Sequence, residues 1–452
     1  MKSYIFIFGL ISFCGLMASQ ANAQVLDGPL EQQQALPVAR PAEAADPTSP
    51  NVLILPDEGA TRGVIVTDRV HPEYQPQGMQ VGTFRFMPDL TVDELYNDNI
   101  YATKNNPVDD WVTTFEPRLA LRSDWSRHAL NFMAASGDGV YADKTSENYN
   151  DFLLQADGRL DITRRTRLAG LLSYAGDHEE RGSPDDITQQ THPVTFNVAT
   201  AQGELFHEFN KLKLDVIYSN QDFQYNNGHT EQGAIVNDDV RDRDDNEVTG
   251  RIALQFTPGY DAYVQSSYNN RDYDDSHGVS NFGRVNSNSD GYNIYGGLHA
   301  DVTGKLFGDI YAGYITQSYD DPIYKDYHGV GFGVNGYWNI TGLTTLTANV
   351  GRDIEETIVP GASGYVETRA RLNLDQELRR NVVLSGLVGY DNDDYQGADR
   401  TDHVWVAGGG LKYLVNQHVT LFGNYAYINR NSNQDFNDYT QNRYLVGIKA
   451  AL

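Results

Sequence analysis

The stretch that decides the fold is the last one, YTQNRYLVGIKAAL, running from Tyr439 to Leu452. From Tyr444 onward every second residue can face an apolar surface: Tyr444, Val446, Ile448, Ala450 and Leu452. Between them stand Leu445, Gly447, Lys449 and Ala451, a mixed set that includes a charge. Period-two alternation marks a strand with two environments. Chain ends usually fray, yet here the pattern holds to the final residue. The stretch reads as the closing strand of a membrane β-barrel. Its apolar set should then face lipid, with Arg443 and Lys449 facing the lumen. It must also pair with the first strand, near Val81 to Leu95, because an unpaired edge in lipid leaves backbone groups without partners.

Composition supports an exported β protein. The 452 residues hold 29 Tyr and 42 Gly against 5 Met and one Cys, and the formal net charge is −27. That balance argues against nucleic-acid binding, which depends on Lys and Arg neutralising phosphates. Residues 1–23 read as a signal peptide: Lys2, an apolar run from Tyr4 to Met17, and the small-x-small site Ala21-Asn22-Ala23. The single cysteine, Cys14, falls inside that segment. No later stretch approaches the ~20 apolar residues of a membrane helix. Any spanning must therefore be done by strands.

Residues 24–79, rich in Gln, Pro, Ala and acidic side chains, read as a flexible periplasmic extension with a small strand at Val64-Ile65-Val66. Residues 80–452 read as an all-β, transmembrane antiparallel barrel of eighteen strands. Alternation is clear around 152–162, 247–256, 292–302 and 366–375, each at about the 9–11 residues a tilted membrane strand needs. Short turns fall near Trp125-Ser126-Arg127, Thr163-Arg164-Arg165, Asn210-Lys211, Pro258-Gly259, Thr303-Gly304-Lys305, Thr341-Gly342, Arg379-Arg380 and Asn416-Gln417. Longer polar loops lie between them, near 97–108, 142–148, 176–192, 221–246, 270–288, 319–326, 355–363, 391–401 and 430–438. Short periplasmic turns and long extracellular loops are the outer-membrane pattern. The loops carry the acidity, which is expected to be displayed outside the cell. Tyr174, Tyr218, Tyr268, Tyr314 and Tyr390 precede these loops and suit a boundary belt.

Charged residues on the inward parity are the candidate lumen lining: Glu116, Arg118, Arg122, Asp157, Arg159, Asp161, Arg251, Glu367, Arg369, Arg371 and Asp375. Opposite charges two residues apart share a face, so they can brace a wet lumen or form a ladder for a hydrophilic solute. An eighteen-strand barrel is wide enough for an aqueous channel. No metal-ligand spacing appears among the scattered histidines, and Asp391-Asn392-Asp393-Asp394, whose carboxylates could bind Ca²⁺ but lack an EF-hand's spacing, reads rather as a solvated loop. Gly408-Gly409-Gly410 lies in an alternating strand with no helix after it, so it is no phosphate loop. No nucleophile elbow, catalytic residue, metal or cofactor is indicated, and an enzyme is not expected.

Four stretches carry a family likeness: RVHPEYQPQGMQVGTF (Arg69 to Phe84), LALRSDWSRHALNF (Leu119 to Phe132), GRLDITRRTRL (Gly158 to Leu168) and the loop run HEERGSPDD (His178 to Asp186). With them, residues 69–452 resemble the outer-membrane β-barrel porins of proteobacteria often associated with exopolysaccharide production. The resemblance implies a porin-like conduit in the outer membrane, working beside periplasmic polysaccharide-export proteins. Other partners would be outer-membrane lipid and the barrel-assembly machinery, engaged through the C-terminal strand. The runner-up reading is a structural or surface-interaction barrel whose acidic loops fold inward and occlude the lumen; an outer-membrane hydrolase is the less favoured third. The terminal Leu452 departs from the aromatic residue usual at that position.

Overall fold

The computed structural model describes residues 64–186, 190–274 and 287–452. The expected export signal, and the expected extension as far as Gly63, lie outside them. The barrel is built from eighteen long antiparallel strands. The first six are β1 (Phe84–Asn97), β2 (Asp110–Ser123), β3 (Ala129–Tyr141), β4 (Tyr149–Asp161), β5 (Thr166–His178) and β6 (Thr195–Phe209). Next come β7 (Leu212–Tyr225), β8 (Arg243–Thr257), β9 (Tyr260–Tyr273), β10 (Ser289–Asp301), β11 (Leu306–Tyr319) and β12 (Tyr327–Thr341). The ring ends with β13 (Thr344–Glu355), β14 (Gly364–Arg379), β15 (Val382–Gln396), β16 (Thr401–Leu414), β17 (Val419–Ser432) and β18 (Tyr439–Ala451).

Each strand pairs with the next, and β18 pairs with β1, Asp89 opposite Ala451 and Asn97 opposite Arg443. The ring closes, so the backbone has no open edge toward lipid. β1 outruns its partner β18. Of its surplus, Phe84 to Pro88, the first three residues are covered by a short strand, Met79–Val81, folded back on them. The Gly78 amide donates to the Leu452 carbonyl at 2.8 Å, which ties down the last residue.

The terminal stretch alternates as its sequence demands. Tyr444, Val446, Ile448, Ala450 and Leu452 are exposed on the outer face, while Arg443 is buried inside and Lys449 half-buried. Gly447 points inward, where a Cβ would run into the Phe422 ring. At the long-loop end the outer face carries a belt of rings in register across strands. Tyr96 and Trp111 lie 5.0 Å apart, Tyr268 and Tyr292 4.8 Å, Tyr425 and Tyr444 4.9 Å, Tyr390 and Trp405 4.6 Å. Rings with an apolar body and a polar tip suit that boundary.

Three expectations need correction. Asp391-Asn392-Asp393-Asp394 is no solvated loop: it lies within β15, with Asp391 and Asp393 fully buried on the inward parity. A wet lumen lets alternation continue in acidic residues, which sequence alone reads as a loop. Second, much loop acidity is inside rather than displayed: Asp177, Glu179, Asp185, Asp238 and Glu356 are all buried. Third, the end of the extension is not loose. Val64-Ile65-Val66 forms no strand; short 3₁₀ turns, Val66–Asp68 and Pro72–Tyr74, replace it.

Residues 64–78 form a strap over the short-turn mouth. The Val66 amide donates to Thr345 Oγ1 at 2.9 Å, and Asn339 Nδ2 donates to the Val64 carbonyl at 3.1 Å. Arg69 and His71 converge on Glu377, at 3.3 and 3.6 Å. From this anchorage on β12–β14 the strap runs to β1, five strands on around the ring.

Candidate functional site

The long-loop end of the barrel holds a crossbar. It is the connection from β5 to β6, and its described beginning, together with His178 that ends β5, is the run HEERGSPDD. A polar loop of this composition would be solvated if it stood outside. Instead Glu179, Arg181, Ser183 and Asp185 are each more than nine-tenths buried. Burial of so many charges is tolerable only where each finds a partner, and the wall supplies them in order along the run.

His178 Nδ1 lies 2.9 Å from Asp151 Oδ2 on β4, and its ring stacks on Tyr149. Glu179 accepts from the Arg241 guanidinium, which comes from the β7–β8 loop and stacks over Tyr225. Glu180 lies 3.8 Å from Arg443 of β18. Arg181 makes a two-nitrogen contact with Glu147 of the β3–β4 loop, at 2.7 and 3.1 Å. Beyond it, Arg430 of β17 donates to the Gly182 carbonyl and Arg400 donates to the Pro184 carbonyl at 3.3 Å. Gly182 adopts φ +82°, and a Cβ there would strike Ala102 of the β1–β2 loop. Only glycine fits that turn.

The crossbar then meets a second inward loop, the one joining β13 to β14. Asp185 Oδ1 accepts from Thr357 Oγ1 at 2.6 Å and from the Ile358 amide at 3.0 Å. That second loop is held in turn by β9: Arg271 pairs with Glu356, and Tyr273 Oη donates to Glu356 at 2.6 Å. β14 stands nine strands from β5, half the ring of eighteen. The two loops therefore span the lumen and join inside it. Under the root of the crossbar a cavity of about 50 Å³ remains, lined by Asp93, Glu116, His178, Glu180 and Arg443 among others.

The eleven residues expected on the inward parity divide into three groups. Around β14 they form a buried ionic cluster: Glu367 pairs with Arg369 at 2.6 Å, and Arg371 grips Asp391 with two nitrogens at 2.6 Å each. Arg369 also lies 3.4 Å from Asp391, and Asp375, nearer the short turns, accepts from Ser385. On β2 and β4 the groups are half-buried and looser. Arg118 reaches Asp89 of β1 at 3.7 Å, Asp157 accepts from Asn131 at 2.8 Å, and Arg159 pairs with Asp161 at 3.1 Å. Arg122 has no carboxylate within ion-pair distance among the described residues. Glu116 lines the cavity. Arg251 alone belongs to β8, where it donates to Gln265 at 2.9 Å and lies over the Tyr263 ring.

Of the crossbar partners, Arg443 was expected to face the lumen, and it does; Arg241, Arg400 and Arg430 were not among the candidates. Arg430 does sit on an inward parity that the alternation of β17 could have supplied. Arg241 and Arg400 lie in connections, where no periodicity points a side chain inward.

No curated protein matches the chain. Among solved structures, OccK3 (OpdO) of Pseudomonas aeruginosa is 15% identical, with a TM-score of 0.44, over 81% of this chain and 96% of that one. OpdK of the same organism is 13% identical at a TM-score of 0.42, over 81% and 99%. The ferric enterobactin receptor PfeA of P. aeruginosa is 7% identical at 0.46, over 81% and 80%. The family model described as "Putative beta-barrel porin 2" matches residues 71–452. That span takes in every barrel strand, and the chain belongs to this family of porin-like outer-membrane barrels.

Proposed function

We propose that this barrel is a loop-constricted conduit for hydrophilic solute, and more specifically an outlet for exopolysaccharide. The observation that carries the first part is the crossbar: a charged strand-to-strand connection laid across a lumen wide enough to conduct without it. Its contacts are hydrogen bonds and ion pairs rather than an apolar core, so water can replace them when it swings aside. The polymer assignment rests on the family likeness, which covers HEERGSPDD itself. Purified barrel in a planar bilayer should show small, fluctuating ionic currents, and a strain lacking the gene should lose surface polymer. A silent barrel together with intact polymer would overturn the reading.

A second reading has its own support. Ala362 and Ser363 of the β13–β14 loop are as buried as a protein core, which suits a permanently closed, structural barrel. Shortening the crossbar separates the two: a conduit gains current, whereas a barrel closed along its whole length does not.

A further inference from the structure

We propose that Asp151, Asp177 and His178 form a binding site for a divalent transition-metal ion such as Zn²⁺ at the root of the crossbar. One ligand atom from each residue lies within 4.8 Å of the other two, and all three residues are buried. His178 Nδ1 stands 2.9 Å from Asp151 Oδ2 and 3.8 Å from Asp177 Oδ1. Ligands of one tetrahedral Zn²⁺ at ~2.0–2.2 Å are separated by roughly 3.3–3.6 Å, so small side-chain shifts close the set.

Two further observations point to a cation there. Asp177 is 5% exposed and its Oδ2 accepts no hydrogen bond, an expensive state for a carboxylate oxygen. Asp151 and Asp177 also converge from adjacent strands, one step beyond the last registered pair, Phe152 with Gly176. Like charges facing across strands repel unless a cation stands between them. One imidazole and two carboxylates suit Zn²⁺, or another late first-row dication, better than Ca²⁺, which takes six to eight oxygens. His178 and Glu180 border the small cavity, which supplies an approach for the ion and room for a bound water.

The position gives the site its consequence. Asp177 and His178 are the last residues of β5, and the crossbar begins at the next one. An ion joining them to Asp151 of β4 would fasten the hinge about which the crossbar must turn. Binding itself is independent of the conduit reading; only the effect on current rests on it.

The test uses full-length, tag-free barrel refolded in detergent, with Zn²⁺ alone as the probe, by calorimetry and by X-ray absorption. One Zn²⁺ per chain is expected, with one imidazole and oxygen ligands in the first shell. Asp177→Asn and His178→Gln should each weaken binding at least tenfold, while Glu73→Gln, far away at the other mouth, should not. Heat-modifiable electrophoresis confirms that each variant is folded. Absence of binding to the folded wild type, or binding that survives both substitutions, overturns the proposal. In bilayers, Zn²⁺ should lengthen closed intervals and chelation should reverse this. Stoichiometric binding with unchanged current would keep the site and count against the conduit instead.

Discussion

The two mouths of this barrel are covered in different ways. At the long-loop end, successive residues of the crossbar are taken by different parts of the wall: β4, the β7–β8 loop, β18, the β3–β4 loop, β17, the β15–β16 loop and the β13–β14 loop. At the short-turn end, the strap is held at its two ends: Thr345, Asn339 and Glu377 meet Val64 to His71, and the Gly78 amide meets the Leu452 carbonyl beside β1, with the exposed Glu73–Arg380 pair between them. A cover tied around the whole ring releases only when many bonds break together, and one held mainly at its ends can peel from one of them. The crossbar is thus the main obstacle, and the strap a lighter one.

The largest effect should come from replacing residues 182–192 by a short Gly-Ser linker. Single-channel conductance is expected to rise several-fold, since the arginines then face an open lumen. Removing residues 64–77 should raise conductance less, and mainly by lengthening open times. If the strap deletion opens the channel more than the crossbar deletion, the ranking of the two covers is reversed.

Arg371→Met comes next. It leaves Asp391, fully buried, without its two-nitrogen partner. Losing one half of a buried pair costs about 3–5 kcal/mol, which should appear as a lower urea midpoint for unfolding in lipid bilayers. Thr357→Ala is milder. It removes one hydrogen bond to Asp185, worth about 1 kcal/mol, and should shift crossbar opening about fivefold without touching barrel stability.

The smallest effect is one of pH, confined to the strap. Partial desolvation at the short-turn mouth, where Asp68 still meets solvent, together with nearby Asp375, holds its carboxyl above the ordinary value. A carboxyl raised in the docked state takes up its proton more readily there than when free. Docking is therefore favoured below the ordinary carboxylate range and weakens as pH rises through the raised value. Hydrogen exchange over residues 64–74 should speed up across that window, beyond the intrinsic rate, and Asp68→Asn should abolish the excess.

Much of the barrel was legible because lipid enforces a simple rule. Outer faces must be apolar, so Val446, Ile448 and their counterparts repeat with period two and show register, strand count and closure. The inner face obeys a weaker rule, since water, a salt bridge or an inserted loop can each satisfy a polar side chain. Glu367 and Arg369 could be paired from their spacing on one strand, whereas Arg118 found Asp89 on a neighbouring strand instead. The crossbar was the least legible. HEERGSPDD reads as a solvated acidic loop until the arginines that receive it are placed, and they come from residues 241 to 443. The same distance hid the Asp151, Asp177 and His178 group, whose members meet only when β4 and β5 pair.

The central claim is that the crossbar closes the lumen by joining the β13–β14 loop, and a reversible lock tests it most directly. Cys14, in the expected export signal, is the one native cysteine; with it replaced by Ser, Asp185→Cys with Thr357→Cys can form only one disulfide within a chain. These side chains already touch, with Oδ1 and Oγ1 2.6 Å apart. Single channels of the oxidised double variant should stay in the low-conductance state, and reductant should restore fluctuating, larger openings within the same recording. Equal currents before and after reduction, with the disulfide confirmed by mass spectrometry, would contradict the claim.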